Sequence, residues 1–171
     1  MSVKDWARNY ALKNSRNKSF SPKGYAGFTA VKSIGVLFEM DGNYTKIMDF
    51  ADRLGKANKK VELMAYVPQK RNEITKQPQC SHFAKNETNW LGKPKGDVVR
   101  NFVQQSFDIL LVLIPDSESP LQFVATASQA HFTVGWSNGG RFALDFEIKR
   151  KDENVATFFK ELEHYLIFIN R

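Results

Sequence analysis

Apolar residues recur along this chain with two different periods, and the switching between them outlines a fold. In residues 3–13, Val3, Trp6, Ala7, Tyr10 and Ala11 fall at i, i+3, i+4, i+7 and i+8, one face of a helix. Residues 14–30 lose that period. They are rich in Ser, Asn, Gly and Lys and read as a linker or an arm lying over a domain. Val31 to Glu39, "VKSIGVLFE", is β-prone and continuously apolar in its middle, as a strand covered on both faces must be. After "DGN", the stripe Tyr44, Ile47, Met48, Ala51 and Leu54 predicts a helix with Gly55 as its stop. "KVELMAYV", Lys60 to Val67, predicts a second strand, and the three elements together have the length of a βαβ unit.

Residues 68–96 are irregular, with a short strand near "SHFAK". A segment so long and weakly patterned is either functional or partly disordered. Asp97 then stands as the cap of a helix carrying Val98, Val99, Phe102 and Val103, and "FDILLVLIP" is the strongest buried-strand signal in the chain. Ser119 and Pro120 read as N-cap and first residue of a helix with Leu121, Phe123, Val124 and Ala127. "HFTVGW" and "RFALDFEI" predict two strands. Val155, Phe158, Phe159, Leu162, Leu166 and Ile169 predict a last amphipathic helix. Helices alternating with apolar strands imply an α/β fold: one three-layer Rossmann-like sandwich around a mostly parallel sheet, over residues 31–171, with a basic helical arm over 1–30.

The glycine-rich "GWSNGG", Gly135 to Gly140, raises the question of a phosphate loop. A P-loop ends in Gly-Lys-Ser/Thr, and a dinucleotide loop opens a helix. Here Arg141 and Phe142 follow and a period-two pattern continues. Asn138-Gly139 instead favours a hairpin turn. A three-residue loop would pair Trp136 with Phe142, Val134 with Leu144 and Phe132 with Phe146, gathering the large apolar side chains on one face. The expectation is an antiparallel C-terminal hairpin.

Composition adds limits. The 171 residues are 42% hydrophobic and 25% charged, an ordinary globular balance. The longest aliphatic run, "ILLVLI", is far short of the ~20 residues of a membrane span. The N-terminus has charges without an apolar run behind them, so no secretory signal is read there. Cys80 is the single cysteine, so there is no intrachain disulfide, and a cytoplasmic protein is expected.

Charge distribution says more than the net +7. Residues 1–32 carry +6 and residues 56–100 carry +6, whereas residues 33–55 carry −2 and residues 101–171 carry −3. Two basic segments point to a phosphate-bearing partner, with plain solvation as the competing explanation. Within "NWLGKPKG", Trp90 stands beside Lys93 and Lys95: an aromatic to stack on a base and lysines to meet phosphate, or else a Trp tucked under its own loop. Arg8, Lys13, Arg16 and Lys18, with Trp6 and Tyr10, form a similar mixture in the arm.

For catalysis, Glu39, Asp41 and Asp116 follow predicted strands, where open α/β sheets place ligands. Short acids at helix starts also serve as caps, which is the commoner role. Asp108 begins its strand and belongs at the opposite edge. Cys80 and His82 share a strand face but lack further ligands nearby, so neither a metal site nor a cofactor is expected.

The order "SIGVLFE", "NWLGKP", "FDILLVLI", "SQAHFTVGW", "ELEHYLIFIN" resembles a small uncharacterised Rossmann-like family from the Bacteroidota, over most of residues 31–170. That resemblance implies a fold and no activity. Residues 107–136 are also similar, more loosely, to part of the N-terminal half of heptosyltransferase-type glycosyltransferases. Those enzymes hold a nucleotide sugar with a second Rossmann domain, for which this chain has no room.

Three functions compete. The first is a non-catalytic module binding RNA or a ribonucleoprotein through a basic face. The second is a small nucleotide- or nucleotide-sugar-binding enzyme using Glu39, Asp41 and Asp116. The third is a protein-interaction subunit or homodimer using the N-terminal helix or a sheet edge.

Overall fold

The computed structural model describes residues 3–15, 27–114, 119–136, 144–149 and 154–168. Among the described residues, five helices and six strands follow in the order α1 (Val3–Ser15), β1 (Ser33–Glu39), α2 (Tyr44–Lys56), β2 (Lys60–Val67), β3 (Ser81–Ala84), α3 (Asp97–Val103), β4 (Ile109–Leu113), α4 (Leu121–Ala127), β5 (Phe132–Trp136), β6 (Phe146–Ile148) and α5 (Val155–Phe168). Single 3-10 turns at Arg71–Glu73 and Lys85–Glu87 punctuate the segment that looked irregular.

The strands form one sheet in the order β3-β2-β1-β4-β5-β6, and all neighbours run parallel. This is the Rossmann-like order, with a topological switch between β1 and β4. Central strands buried on both faces must be apolar throughout. In β1, Ile34, Val36 and Phe38 pack toward α2 and α5, while Leu37 packs toward α3 and α4. The first cluster is closed by Phe50 of α2 stacked on Phe159 of α5, with ring centroids 3.7 Å apart. The second is closed by Phe102 and Phe107.

The amino-terminal edge of the sheet is fastened by two matching acid–hydroxyl pairs. Asp108 accepts hydrogen bonds at one carboxylate oxygen from the Lys32 N–H (2.8 Å), the Ser33 N–H (2.9 Å) and the Ser33 hydroxyl (3.0 Å). Asp145 likewise accepts from the Thr133 N–H (2.7 Å) and hydroxyl (2.8 Å). The first pair joins β1 to β4, and the second joins β5 to β6.

That second pair belongs to the main departure from expectation. β5 and β6 are parallel, with Val134 level with Phe146 and Trp136 with Ile148, so the strands are not an antiparallel hairpin. Alternation specifies faces but not direction, and Phe146 and Ile148 reach the same core either way. The alternation also breaks. Phe146 packs with the α2–α5 cluster, but Leu144 packs on the opposite side, against the α3–α4 cluster. Leu144 reaches that side beside Gly135, where a Cβ would stand 2.5 Å from the Val112 carbonyl and 3.0 Å from the Leu144 side chain. The expected three-residue loop, Asn138 to Gly140, lies outside the described residues.

Helix boundaries bring smaller corrections. Gly55 does not stop α2, which runs to Lys56 and ends where Asn58 takes a left-handed φ of 59°. Asp97 is the first residue of α3 rather than its cap, a position held by Gly96. Pro120, not Ser119, holds the N-cap of α4, and Ser119 stands one residue before it, its hydroxyl accepting from the Leu121 N–H at 3.3 Å.

The N-terminal helix forms as its periodicity predicts but docks by another face. α1 packs on α4. Its buried residues are Arg8 and Leu12, whereas Val3, Trp6 and Tyr10 of the apolar stripe face solvent.

Candidate functional site

Two regions gather the chemistry-bearing residues: the carboxyl edge of the sheet at the switch point, and a cleft on the outer side of α3 and α4.

At the switch point, β1 ends in Glu39, which is half-buried and hydrogen-bonded with the Ser119 side chain. Burial pushes the Glu39 carboxyl above its ordinary value, and the neighbouring Asp41 charge adds to this while Ser119 opposes it. Tyr66, one residue before the end of β2, is raised by burial and by the charge of Glu39. Asp41 closes a turn before α2, accepting from the Asn43 backbone N–H at 2.7 Å and from its side-chain amide at 3.3 Å. This is the local role that short acids take at helix starts. Asp116 lies outside the described residues. Among the described residues, no group of three or more His, Cys, Asp or Glu is arranged to hold a metal ion.

A phosphate at the switch point would meet carboxylates. The β1–α2 turn supplies Gly42 alone, with nothing near its Cβ position and no left-handed φ, so no glycine cradle is built there.

Cys80 and His82 do not form a reactive pair. Burial pushes the Cys80 thiol up to about 11. The His82 Nδ1 lies 3.0 Å from the Cys80 carbonyl oxygen rather than engaging the sulfur, and Nε2 faces Gln77 and Arg71. Arg71 in turn grips Glu87 through two hydrogen bonds (2.6 and 3.1 Å). Burial raises the Glu87 carboxyl, but Arg71 and the Ala84 N–H outweigh it and hold it below its usual range. These contacts order a segment whose hydropathy carries no period.

Beyond that network the chain forms a tight turn, Asn89-Trp90-Leu91-Gly92. The Gly92 N–H donates to the Asn89 carbonyl at 2.9 Å, and the Asn89 side-chain oxygen accepts from the N–H groups of Leu91 (3.0 Å) and Lys93 (2.9 Å). Asn at the first position is the residue such turns favour. Gly92 has φ +81°, and a Cβ there would meet the Arg8 guanidinium at 2.9 Å. The turn holds Trp90 at its tip, 69% exposed, so the indole is not tucked under its loop.

Arg8 fixes this turn to the rest of the molecule. Its guanidinium is buried, donating to the carbonyls of Leu91 and Ser119 at 2.8 Å each and to the Gln122 side-chain oxygen at 2.7 Å, above the Phe123 ring. The side chain therefore points into the protein, unlike those of Lys13, Lys93 and Lys95. Lys13, Lys93 and Lys95 are exposed, and among the described residues none of the three is ion-paired. Arg16 and Lys18 lie outside the described residues.

Lys93 and Lys95 rim a cleft of about 600 Å³ that brings the two basic segments together. Asn14, at the end of α1, lines it alongside Arg100 and Gln104 of the α3 region, and Val99, Val103, Phe123 and Ala127 provide apolar walls. Arg100 pairs with Asp97 at 3.0 Å, both side chains being exposed. Sequence reasoning singled out Lys93 and Lys95 but missed Arg100, Gln104 and Asn14. The available signal was a run of basic residues leading into a helix whose polar face carries Arg100 and Gln104 at i, i+4.

No helix among the described residues is long and apolar enough to cross a membrane. No curated protein and no solved structure matches the chain. A family of unknown function, DUF6913, matches over residues 4–169, nearly the whole length and including α1. The chain belongs to this family of unknown function.

Proposed function

We propose that this protein is a non-catalytic module that binds an anionic partner, RNA or a ribonucleoprotein, through the basic face around the α3–α4 cleft. The observation that carries this reading is the exposed Trp90 held on a hydrogen-bonded turn beside the exposed ammonium groups of Lys93 and Lys95, neither of which is ion-paired among the described residues. Arg100 lines the same cleft, and Lys13, next in sequence to the cleft-lining Asn14, adds an exposed charge. Lysines attract the phosphate backbone without regard to sequence, and an exposed indole offers any base a stacking surface. The acidic switch point repels the same partner, which favours the cleft over the sheet edge for an anion.

The test is salt dependence. Four cations meeting phosphate on a single strand give a slope of about −3 in log affinity against log salt, so affinity falls roughly 50-fold between about 50 and 200 mM salt. Fluorescence anisotropy of a labelled uridine-rich RNA oligomer reads this directly. Lys93→Glu with Lys95→Glu should flatten the slope by about half. Absence of RNA binding at low salt refutes the reading.

A further inference from the structure

We propose that the cleft between α1, α3 and α4 receives one unpaired nucleobase, so that the RNA this protein binds is single-stranded. This rests on the anionic-partner reading above and adds to it a site for the base itself.

A patch serving phosphate alone needs only surface cations. This one is an open cleft of about 600 Å³ with apolar walls from Val99, Val103, Phe123 and Ala127. That volume lies within the range of small-molecule sites, and mostly apolar walls with a few polar groups are their usual construction. A nucleotide has the complementary make-up: a flat, weakly polar base and a charged phosphate. With the base between the walls, its phosphate comes to the rim at Lys93, Lys95 and Arg100. Asn14 and Gln104 bring amide groups to the same cleft, each able to donate to and accept from a base edge.

The surroundings continue the path. Trp6, Tyr10 and Asn14 follow at i, i+4, i+8, one line along α1 leading to the cleft. Trp6 and Tyr10 are 63% and 60% exposed, and their rings are stacked at 5.8 Å. Trp90 stands at the end of the turn that leads into Lys93. Largely exposed aromatics near basic side chains are the stacking platforms of single-strand binding. A duplex keeps its bases stacked inside and cannot deliver one to a cleft.

The experiment compares a labelled single-stranded RNA with a duplex of the same strand length at matched salt. The expected result is single-strand binding at least about ten-fold tighter. Val103→Phe and Ala127→Leu fill the cleft without altering charge, and should lower single-strand affinity about ten-fold while leaving duplex affinity unchanged. Thermal unfolding checks that each variant folds, and Trp90→Ala, which alters only an exposed side chain, should lower single-strand affinity by a similar factor. Equal affinity for both RNAs, or filled variants that keep the preference, overturns the base site while leaving the anionic-partner reading standing. Failure of both RNAs to bind at low salt overturns both.

Discussion

Replacing Arg8 with Ala should loosen the N-terminal helix more than any surface substitution on it. The side chain is 4% exposed. It supplies three short hydrogen bonds, to Leu91, Ser119 and Gln122, which belong to elements far apart in the chain. A buried acceptor that loses its donor costs about 1–3 kcal/mol, so three at the low end give about 3 kcal/mol. Loss of the arginine stem over Phe123 adds to this. For a domain of this size each kcal/mol lowers Tm by about 2–4 °C, so Arg8→Ala should unfold about 6–12 °C lower. The loss is bounded by the free energy of releasing α1, because water can satisfy the carbonyls once the helix has left. Two readouts are therefore needed: thermal unfolding by circular dichroism, and hydrogen exchange of the α1 amides. Lys13→Ala, on the exposed side of the same helix, should stay within about 0.5 kcal/mol of the parent. Arg8→Lys should also fall short, since an ammonium cannot span the three acceptors as a planar fork does. An Arg8→Ala protein with unchanged Tm and unchanged α1 exchange would refute the argument that this guanidinium holds the helix.

Two carboxylates should respond to pH in opposite senses. For Asp108, burial works to raise the carboxyl, but the bonds from Lys32 and Ser33 prevail and its folded value lies below 3.8. Its contribution is present above that pH and is lost as pH falls through the lower folded value. Asp108→Asn should cost about 2 kcal/mol near pH 7, a gap in urea midpoint that narrows near pH 3, and a gap equal at both would refute this. Glu39 is raised above 4.5, mainly by burial, so its ionisation weakens the fold as pH rises from 4.5 through the folded value. Glu39→Gln should then raise the urea midpoint near pH 7 and leave it unchanged near pH 4, whereas a loss near pH 7 would show the charge to be needed there.

The sheet and its flanking helices were legible because their residues answer to local rules. The runs 33–39 and 60–67 are apolar where both faces are covered, and α5 shows its buried Val155, Phe158, Phe159, Leu162 and Leu166 at helical spacing. The face of α1 was not legible. Hydropathy ranks Trp6 and Tyr10 above Arg8, yet Arg8 is the buried one, because carbonyls 83 and 111 residues away satisfy its donors. The direction of β6 was equally hidden, since it depends on Asp145 meeting Thr133 and on Leu144 crossing to the other face beside Gly135. Of the candidate site, Trp90, Lys93 and Lys95 could be named from composition. Their partners across the cleft, Asn14 and Arg100, share it only once α1 lies on α4.

The burial of Arg8 and the exposure of its aromatic neighbours are one arrangement. A helix docked by its apolar stripe would have hidden Trp6 and Tyr10 and turned its cations to water. Docked by Arg8 and Leu12, it leaves the aromatics outside and sets Asn14 at the cleft. Exposing two large aromatics forfeits about 1.5–3 kcal/mol of burial for each. The buried guanidinium offsets part of that loss, and it also ties the Trp90 turn to α4. One side chain thus sets the position of Trp6, Tyr10 and Trp90 relative to the Lys93–Lys95 rim. The proposed basic face is in this sense built from within, and Arg8→Ala should disorganise it without removing any charge that an RNA backbone would touch.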